Sequence, residues 1–220
     1  MLIRAVVFDL DGTLLDSLAD IANACNAVLA AHALPTHSID AYRYMVGDGV
    51  RRLITRAVPN GNVPDATDLE PWIAQFLVHY ERAWNVESRL YDGIPELLRE
   101  LNDRAISMAV LSNKPQEATM RCVRHFLAEF PFAAVLGQDV GRPPKPDLTG
   151  VREIMDRLQV DPSSCLYLGD TGVDMLTARG AGMVAVGATW GFRDAEELRS
   201  AGADVILDHP LELLTLLTPP

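Results

Sequence analysis

The chain has 220 residues, a formal net charge of −11 and a hydrophobic share of 49%. That length holds one good domain or a domain with a sizeable insertion, and the acidic balance excludes nucleic acid and anionic membrane as the surfaces it meets. An anionic substrate must therefore be received by a local cluster of donors, visible as specific residues.

Ala5–Phe8 is an apolar run short enough to be a fully buried strand. It ends in Asp9-Leu10-Asp11-Gly12-Thr13. Two carboxylates at the end of a buried strand lose water and need partners. In extended backbone, residues 9 and 11 point the same way, so both acids can serve one site. Oxygen ligands suit Mg²⁺. Gly12 lets the backbone turn sharply or approach a ligand, and Thr13 offers a hydroxyl. A plain Asp-Gly turn is the alternative reading of the same residues.

From residue 15 to about 90 the pattern becomes helical. Leu18, Ile21, Ala22, Cys25, Val28 and Leu29 keep helical spacing, as do Val50, Leu53, Ile54 and Ala57. Trp72, Phe76, Tyr80 and Trp84 recur every four residues beside Ile73 and Leu77, a stripe that reads as the core of a helix bundle. Gly61 to Pro64 is expected to be a loop. Beyond residue 93, strand-like runs at Ser107–Leu111, Ala133–Leu136, Cys165–Leu168, Met183–Val186 and Asp204–Ile206 alternate with helical patterns. The helices are expected over Ile94–Asn102, Pro115–Phe126, Leu148–Leu158, Val173–Arg179, Ala195–Ser200 and Leu211–Leu217. That alternation predicts an α/β protein, a three-layer Rossmann-like parallel sheet core. The core spans residues 1–14 and 93–220, and residues 15–92 form an inserted small α-helical domain.

Three further segments fall at strand ends, where open α/β sheets bind ligands. Leu111-Ser112-Asn113-Lys114-Pro115 brings a hydroxyl to what reads as a helix N-terminus, a favourable place for an anion; a simple N-cap is the alternative. Arg142-Pro143-Pro144-Lys145-Pro146-Asp147 stiffens the approach to a lysine with three prolines; it also reads as a surface loop. Leu168-Gly169-Asp170-Thr171-Gly172-Val173-Asp174 ends another apolar strand with an acid, and Asp174 follows one helical turn on. Paired carboxylates, a hydroxyl and a fixed lysine suit phosphoryl transfer, which rests on positioning and charge neutralisation.

Cys25, Cys122 and Cys165 are odd in number, far apart and outside any C-x-x-C pair. They read as buried small hydrophobes in a reducing, cytoplasmic compartment. No apolar run approaches the roughly 18 residues of a membrane span, and the start of the chain reads as a strand without a signal-peptide pattern.

With these motifs in order, the chain resembles the haloacid dehalogenase superfamily, in its phosphoglycolate phosphatase-like branch with a small helical cap. Gly169 to Asp174 followed by Met175, Ala178, Ala181 and Gly182, and the run Thr189-Trp190-Gly191-Phe192, resemble that branch too. The resemblance implies a Mg²⁺-dependent phosphoric monoester hydrolase. Asp9 would be the nucleophile that forms an aspartyl-phosphate, and Asp11 would protonate the leaving oxygen and then activate water. Thr13 and Lys145 would complete the catalytic set. Mg²⁺ would be held by Asp9, the Asp11 backbone carbonyl and Asp170, with Asp174 in support. Gly12, Ser112, the Asn113 amide and Lys145 would receive the phosphoryl group, and the cap would close as a lid. Asp92 and Leu148 stand where relatives often carry proline, which touches linker stiffness and not chemistry.

In the cap, the run from Tyr42 to Arg52 resembles the family's specificity region. Gly47 would let backbone approach the site, and Arg43, Arg51 or Arg52 would meet a second anionic group; solvated positions on a helix are the alternative. The expected partner is a small phosphorylated metabolite, most simply 2-phosphoglycolate, met by a monomer or homodimer. A sugar phosphate, a nucleotide, pyrophosphate or a phosphoglucomutase-like transfer uses the same core. A dehalogenase is disfavoured by Asp11. A non-catalytic phospholigand-binding protein is disfavoured because Asp9, Asp11 and Lys145 are all present.

Overall fold

The computed structural model describes residues 2–59 and 69–217. The expected loop from Gly61 to Pro64 lies outside these residues. The chain separates into two compact units, one built from Met1–Leu15 and Leu90–Pro220, the other from Asp16–Arg89. Among the described residues, no helix is long and apolar enough to cross a membrane.

In the first unit, strand β1 (Ala5–Phe8) is buried along its whole length. Fully buried Val and Phe side chains contribute about 1.5–3 kcal/mol each, and pairing with a parallel strand on either side makes this apolar run a central strand. The chain then forms β2 (Leu15–Asp16), and it returns through β3 (Arg89–Leu90), which pairs with β2 in a two-stranded ribbon. Strands β4 (Ser107–Pro115), β5 (Phe132–Gln138), β6 (Cys165–Gly169), β7 (Val184–Ala188) and β8 (Val205–Leu207) follow. With β1 they make a six-stranded sheet in the order β5-β4-β1-β6-β7-β8, parallel throughout.

The second unit carries the first three helices, α1 (Leu18–Ala31), α2 (Val50–Ala57) and α3 (Leu69–Ala83), with a short 3-10 turn at Asp40–Tyr44. The helices of the first unit are α4 (Ile94–Asp103), α5 (Gln116–Phe126), α6 (Thr149–Leu158), α7 (Gly172–Gly180) and α8 (Ala195–Ser200).

Both faces of the sheet are covered, as a parallel sheet requires. On one face Ala5, Val7, Ala109, Leu111, Cys165 and Tyr167 pack with Val151 and Ile154 of α6, Met175 and Ala178 of α7 and Leu198 of α8. The residues of opposite parity, Val6, Phe8, Val110, Leu166 and Leu168, are equally buried. Helix α4 packs on β4 and on the C-terminal segment Pro210–Leu216. That segment is a 3-10 helix and not the α-helix expected over Leu211–Leu217. It is a short end piece whose start is tied by His209 and Glu212 side chains, and i→i+3 bonding is favoured in such pieces.

Strand β4 also departs from expectation. It does not stop at Leu111 but continues to Pro115 through a register shift against β5. Helix α5 therefore starts at Gln116, beyond a proline that has no amide proton to give. Ser112 and Asn113 lie on the strand and not at a helix N-terminus.

In the second unit, α1 packs on α3 and α2. Leu18, Ile21, Ala22, Cys25, Val28 and Leu29 are all buried. Of the aromatic stripe, Phe76 and Tyr80 are buried and stacked at 5.7 Å. Trp72 is only half-buried and stacks on His32 of α1 at 3.7 Å. Trp84 is half-buried beyond the helix end, and Leu77 faces solvent. A four-residue repeat drifts around a helix of 3.6 residues per turn, so the stripe reaches the core only at its centre. Asp20, itself buried, accepts hydrogen bonds from the amides of Val86, Glu87 and Ser88 and from the Ser88 hydroxyl.

Candidate active site

The sheet register gathers the site. Phe8 lies opposite Val110 of β4 and Leu168 of β6, so Asp9 and Asp170 emerge at the carboxyl ends of β1 and β6, level with the Leu111-Ser112 step of β4. The order reverses about β1, which makes this the crevice where such sheets bind ligands. The Asp9 amide continues the ladder to Leu168 O at 2.9 Å. The chain then folds back on itself, because Leu10 O accepts from the amides of Thr13, Leu14 and Leu15, while Gly12 N donates to Leu15 O. Gly12 has φ +92°, a conformation that side chains resist. Trp190 Nε1 donates to Thr13 O at 3.0 Å and holds the loop from the β7 side.

Three carboxylates meet here. Oxygens of Asp9, Asp170 and Asp174 lie within 4.8 Å of one another, all three residues buried. Asp170 accepts from the Thr13 hydroxyl at 3.0 Å and from the Phe192 amide at 2.8 Å. A Cβ on Gly191 would stand 2.3 Å from both Asp170 Cβ and Gly12 O, so the loop after β7 can close on Asp170 only without a side chain there. Asp174 serves α7 as part of a capping box: its Oδ2 accepts from the Thr171 amide at 3.1 Å and hydroxyl at 2.7 Å. The residue that caps the helix is thus Thr171, which frees Asp170 from that task.

Lys145 binds the cluster together. Its Nζ donates to Asp9 Oδ1 at 2.8 Å, to Asp174 Oδ1 at 2.7 Å and to Leu111 O at 3.1 Å, which uses all three of its protons. Burial alone would lower its pKa, but Asp174 and Asp9 outweigh it and hold the ammonium charged well above its ordinary range. For Asp9 the balance goes the other way. Burial, with Asp174 adding to it and Lys145 opposing, pushes its carboxyl up to about 7. Burial, Asp9 and Asp174 push Asp170 well above the usual carboxylate range. One ammonium does not neutralise three buried acids, and a divalent cation fits that deficit and that set of oxygens.

The loop that carries Lys145 is fixed from two sides. Asn113 Oδ1 accepts from the Lys145 amide at 2.7 Å and Nδ2 donates to Lys145 O at 3.4 Å. Arg142 donates to Gly137 O, Gln116 and Glu153 at 2.7–3.0 Å. Ser112 and Asn113 are both buried, and Ser112 Oγ accepts from the Lys114 amide at 3.2 Å.

Sequence reasoning passed over three groups in this site. Lys114 Nζ donates to both oxygens of Asp11, at 2.9 and 3.0 Å. Its signal was its position two residues after Ser112 on an extended segment, which places both on one face. Tyr167 OH stands 3.4 Å from Leu111 O and 3.5 Å from Asp174 Oδ1, and the Phe192 amide had no side-chain signal at all.

Gly47, Arg43, Arg51 and Arg52 belong to the other unit. Gly47 has φ +119°. Arg43 pairs with Asp40 at 3.0 Å on an exposed surface, Arg51 pairs with Glu70, and Arg52 is exposed. Arg56, which was not singled out from the sequence, pairs with Asp48 and donates to Met45 O.

The family model for haloacid dehalogenase-like hydrolases matches residues 6–188. A phosphoglycolate phosphatase of Xanthomonas campestris is 34% identical over 212 residues, 96% of this chain and 94% of that protein. An N-acetylmuramic acid 6-phosphate phosphatase of Pseudomonas aeruginosa is 35% identical over 219 residues, 99% of this chain and 96% of that protein. A crystal structure from Lactobacillus delbrueckii subsp. bulgaricus shares the fold with a TM-score of 0.91 at 27% identity, covering 100% of each chain.

Proposed function

The chain belongs to the haloacid dehalogenase-like hydrolases and is a phosphoric monoester hydrolase, and we propose that it splits a small phosphomonoester bearing a second anionic group, with Asp9 as nucleophile. The observation that carries this reading is the ion pair of Asp9 with Lys145 inside a buried cluster of carboxylates. An Asp9 oxygen attacks phosphorus as the bond to the leaving oxygen breaks, and the Asp11 carboxyl gives that oxygen its proton. Water then attacks the phosphoryl-Asp9, its proton passes to the Asp11 carboxylate, and phosphate departs. Lys145 aims the Asp9 carboxylate and keeps its negative charge tolerable. The Ser112 hydroxyl and the Asn113 amide receive phosphoryl oxygens, and Gly12 and Thr13 shape the floor beneath them.

The acidic cluster suits Mg²⁺, which Asp9, the Asp11 carbonyl and Asp170 would hold, with Asp174 behind them. Bound there, the ion supplies charge neutralisation for the phosphoryl group. Arg43, Arg51, Arg52 and Gly47 are our candidates for reading the second anion. We further place the protein in the cytoplasm, in keeping with its three buried cysteines.

Phosphoglycolate and N-acetylmuramic acid 6-phosphate both join a carboxyl group to a phosphomonoester, which supports a substrate with two anionic ends. Initial rates with Mg²⁺ on both compounds, a neutral sugar phosphate, a nucleoside monophosphate and pyrophosphate test this. The carboxylated esters should exceed the neutral sugar phosphate by about a hundredfold in kcat/KM, some 2.7 kcal/mol of discrimination. Equal rates, or no rise in KM when Arg43, Arg51 and Arg52 are each changed to alanine, contradict the second-anion reading.

A further inference from the structure

We propose that Lys114 is a positioning residue for Asp11, holding its carboxylate in the orientation from which it exchanges protons with the leaving oxygen and with water. The inference rests on the role given to Asp11 above.

Asp11 stands apart from the acids it accompanies in sequence. The carboxylates that gather are those of Asp9 and Asp170, just beyond β1 and β6, and of Asp174 in the first turn of α7, whereas Asp11 sits on a loop, where strand geometry does not aim its side chain. Lys114 supplies an aim. Its ammonium donates to both Asp11 oxygens, at 3.0 and 2.9 Å, and a cation that bridges the two oxygens fixes the direction in which the carboxylate points.

The two side chains are only 6% and 12% exposed, so this is not the solvent-screened kind of ion pair that contributes little. Lys114 is itself held at both backbone groups. Its amide donates to Ser112 Oγ at 3.2 Å, and its carbonyl accepts from the buried Thr119 hydroxyl at 3.1 Å. It lies within the irregular stretch where the β4–β5 register shifts between Leu111 and Pro115. Such an irregularity re-aims side chains next to sites, and here it places Ser112, Asn113 and Lys114 in three different duties over three consecutive residues.

The test compares kcat/KM for p-nitrophenyl phosphate, whose leaving group needs little protonation, with that for an alkyl phosphomonoester, whose leaving group needs a proton. The enzymes are the wild type, Asp11→Asn, Lys114→Met, Lys114→Arg and the Asp11→Asn/Lys114→Met double variant, each checked for folding by thermal melting. Asp11→Asn should lose on the order of a hundredfold or more on the alkyl ester and far less on p-nitrophenyl phosphate. Lys114→Met should show the same selective loss, about ten- to a hundredfold on the alkyl ester, and the double variant should be no worse than Asp11→Asn.

Should Lys114→Met fail to fold, Lys114→Arg reads the same selectivity, because the longer guanidinium displaces the carboxylate while keeping the charge. Equal losses on the two esters, multiplied losses in the double variant, or a raised KM with unchanged kcat overturn the positioning role. Absence of leaving-group selectivity in Asp11→Asn itself overturns the role of Asp11, and the inference with it.

Discussion

A Cβ placed on Gly12 would stand 2.2 Å from Oδ2 of Asp170, across 158 positions of sequence. The loop that carries Asp9 and Asp11 is thus seated directly on the acid at the end of β6. Gly12 also has φ +92°. In Gly12→Ala the backbone conformation costs about 1–2 kcal/mol, and the forced contact adds about 1–3 kcal/mol. Because Asp170 must move, activity should fall by on the order of a hundredfold, together with a weaker response to added Mg²⁺. Urea unfolding and a Mg²⁺ titration of initial rate check both halves. An active, fully stable variant refutes this seating.

Lys145 is the only cation donating to Asp9 and Asp174 among the described contacts. Removing one partner from a buried charge pair costs about 3–5 kcal/mol. Lys145→Met should therefore destabilise the metal-free protein by about that amount in urea unfolding and abolish measurable turnover. Recovery of stability in Lys145→Met/Asp174→Asn would show that the loss is electrostatic; a loss that the second change leaves untouched would point to packing.

The Asp9 carboxyl is pushed up to about 7 by burial, with Asp174 adding and Lys145 opposing. Between the ordinary carboxylate value and about 7, the metal-free fold holds a proton there that the unfolded chain has released. Its stabilising contribution is complete at low pH and is lost as pH rises through that window. A cation binding Asp9 must displace the same proton, so apparent Mg²⁺ affinity should rise with pH through that window. The Mg²⁺-induced rise in Tm should be larger at pH 8 than at pH 6. An equal rise at both values contradicts the assignment of Asp9 to the ion.

Asp20 accepts from three successive amides and a hydroxyl at Val86–Ser88. These are charge-assisted bonds from a buried side chain, and Asp20→Ala should destabilise the protein by about 2–4 kcal/mol. Amide hydrogen exchange should quicken selectively at residues 86–88. Unchanged exchange there would mean that the segment is held by other contacts.

The α/β alternation and all six strands of the main sheet were legible in the sequence, because each apolar run is short, continuous and bounded by turn residues. The end of β4 was not. Ser112 to Lys114 are polar and precede a proline, so they read as a helix start, whereas pairing with β5 draws them into the strand. Asp9, Asp170, Asp174 and Lys145 were legible as acids and a lysine in segments that follow strands; the sheet register brings Asp9 and Asp170 together, and the first turn of α7 and the loop after β5 add Asp174 and Lys145. What Lys145 touches was not legible, since its three acceptors come from three distant segments. The Lys114–Asp11 pair spans 103 positions, and although the spacing from Ser112 points to Lys114, neither segment names the other as its partner. The half-exposed tryptophans of the helical unit show the limit of a four-residue repeat, which marks a helix more surely than it marks which residues are covered.

The central claim is that the phosphoryl group passes through Asp9 before it reaches water, and the stereochemical course at phosphorus tests this most directly. A phosphomonoester made chiral at phosphorus with sulfur and ¹⁸O is turned over in water enriched in ¹⁷O, and the configuration of the product is read. Two successive in-line displacements predict net retention of configuration. Net inversion would mean that water attacks the substrate in one step, and Asp9 would not be the nucleophile.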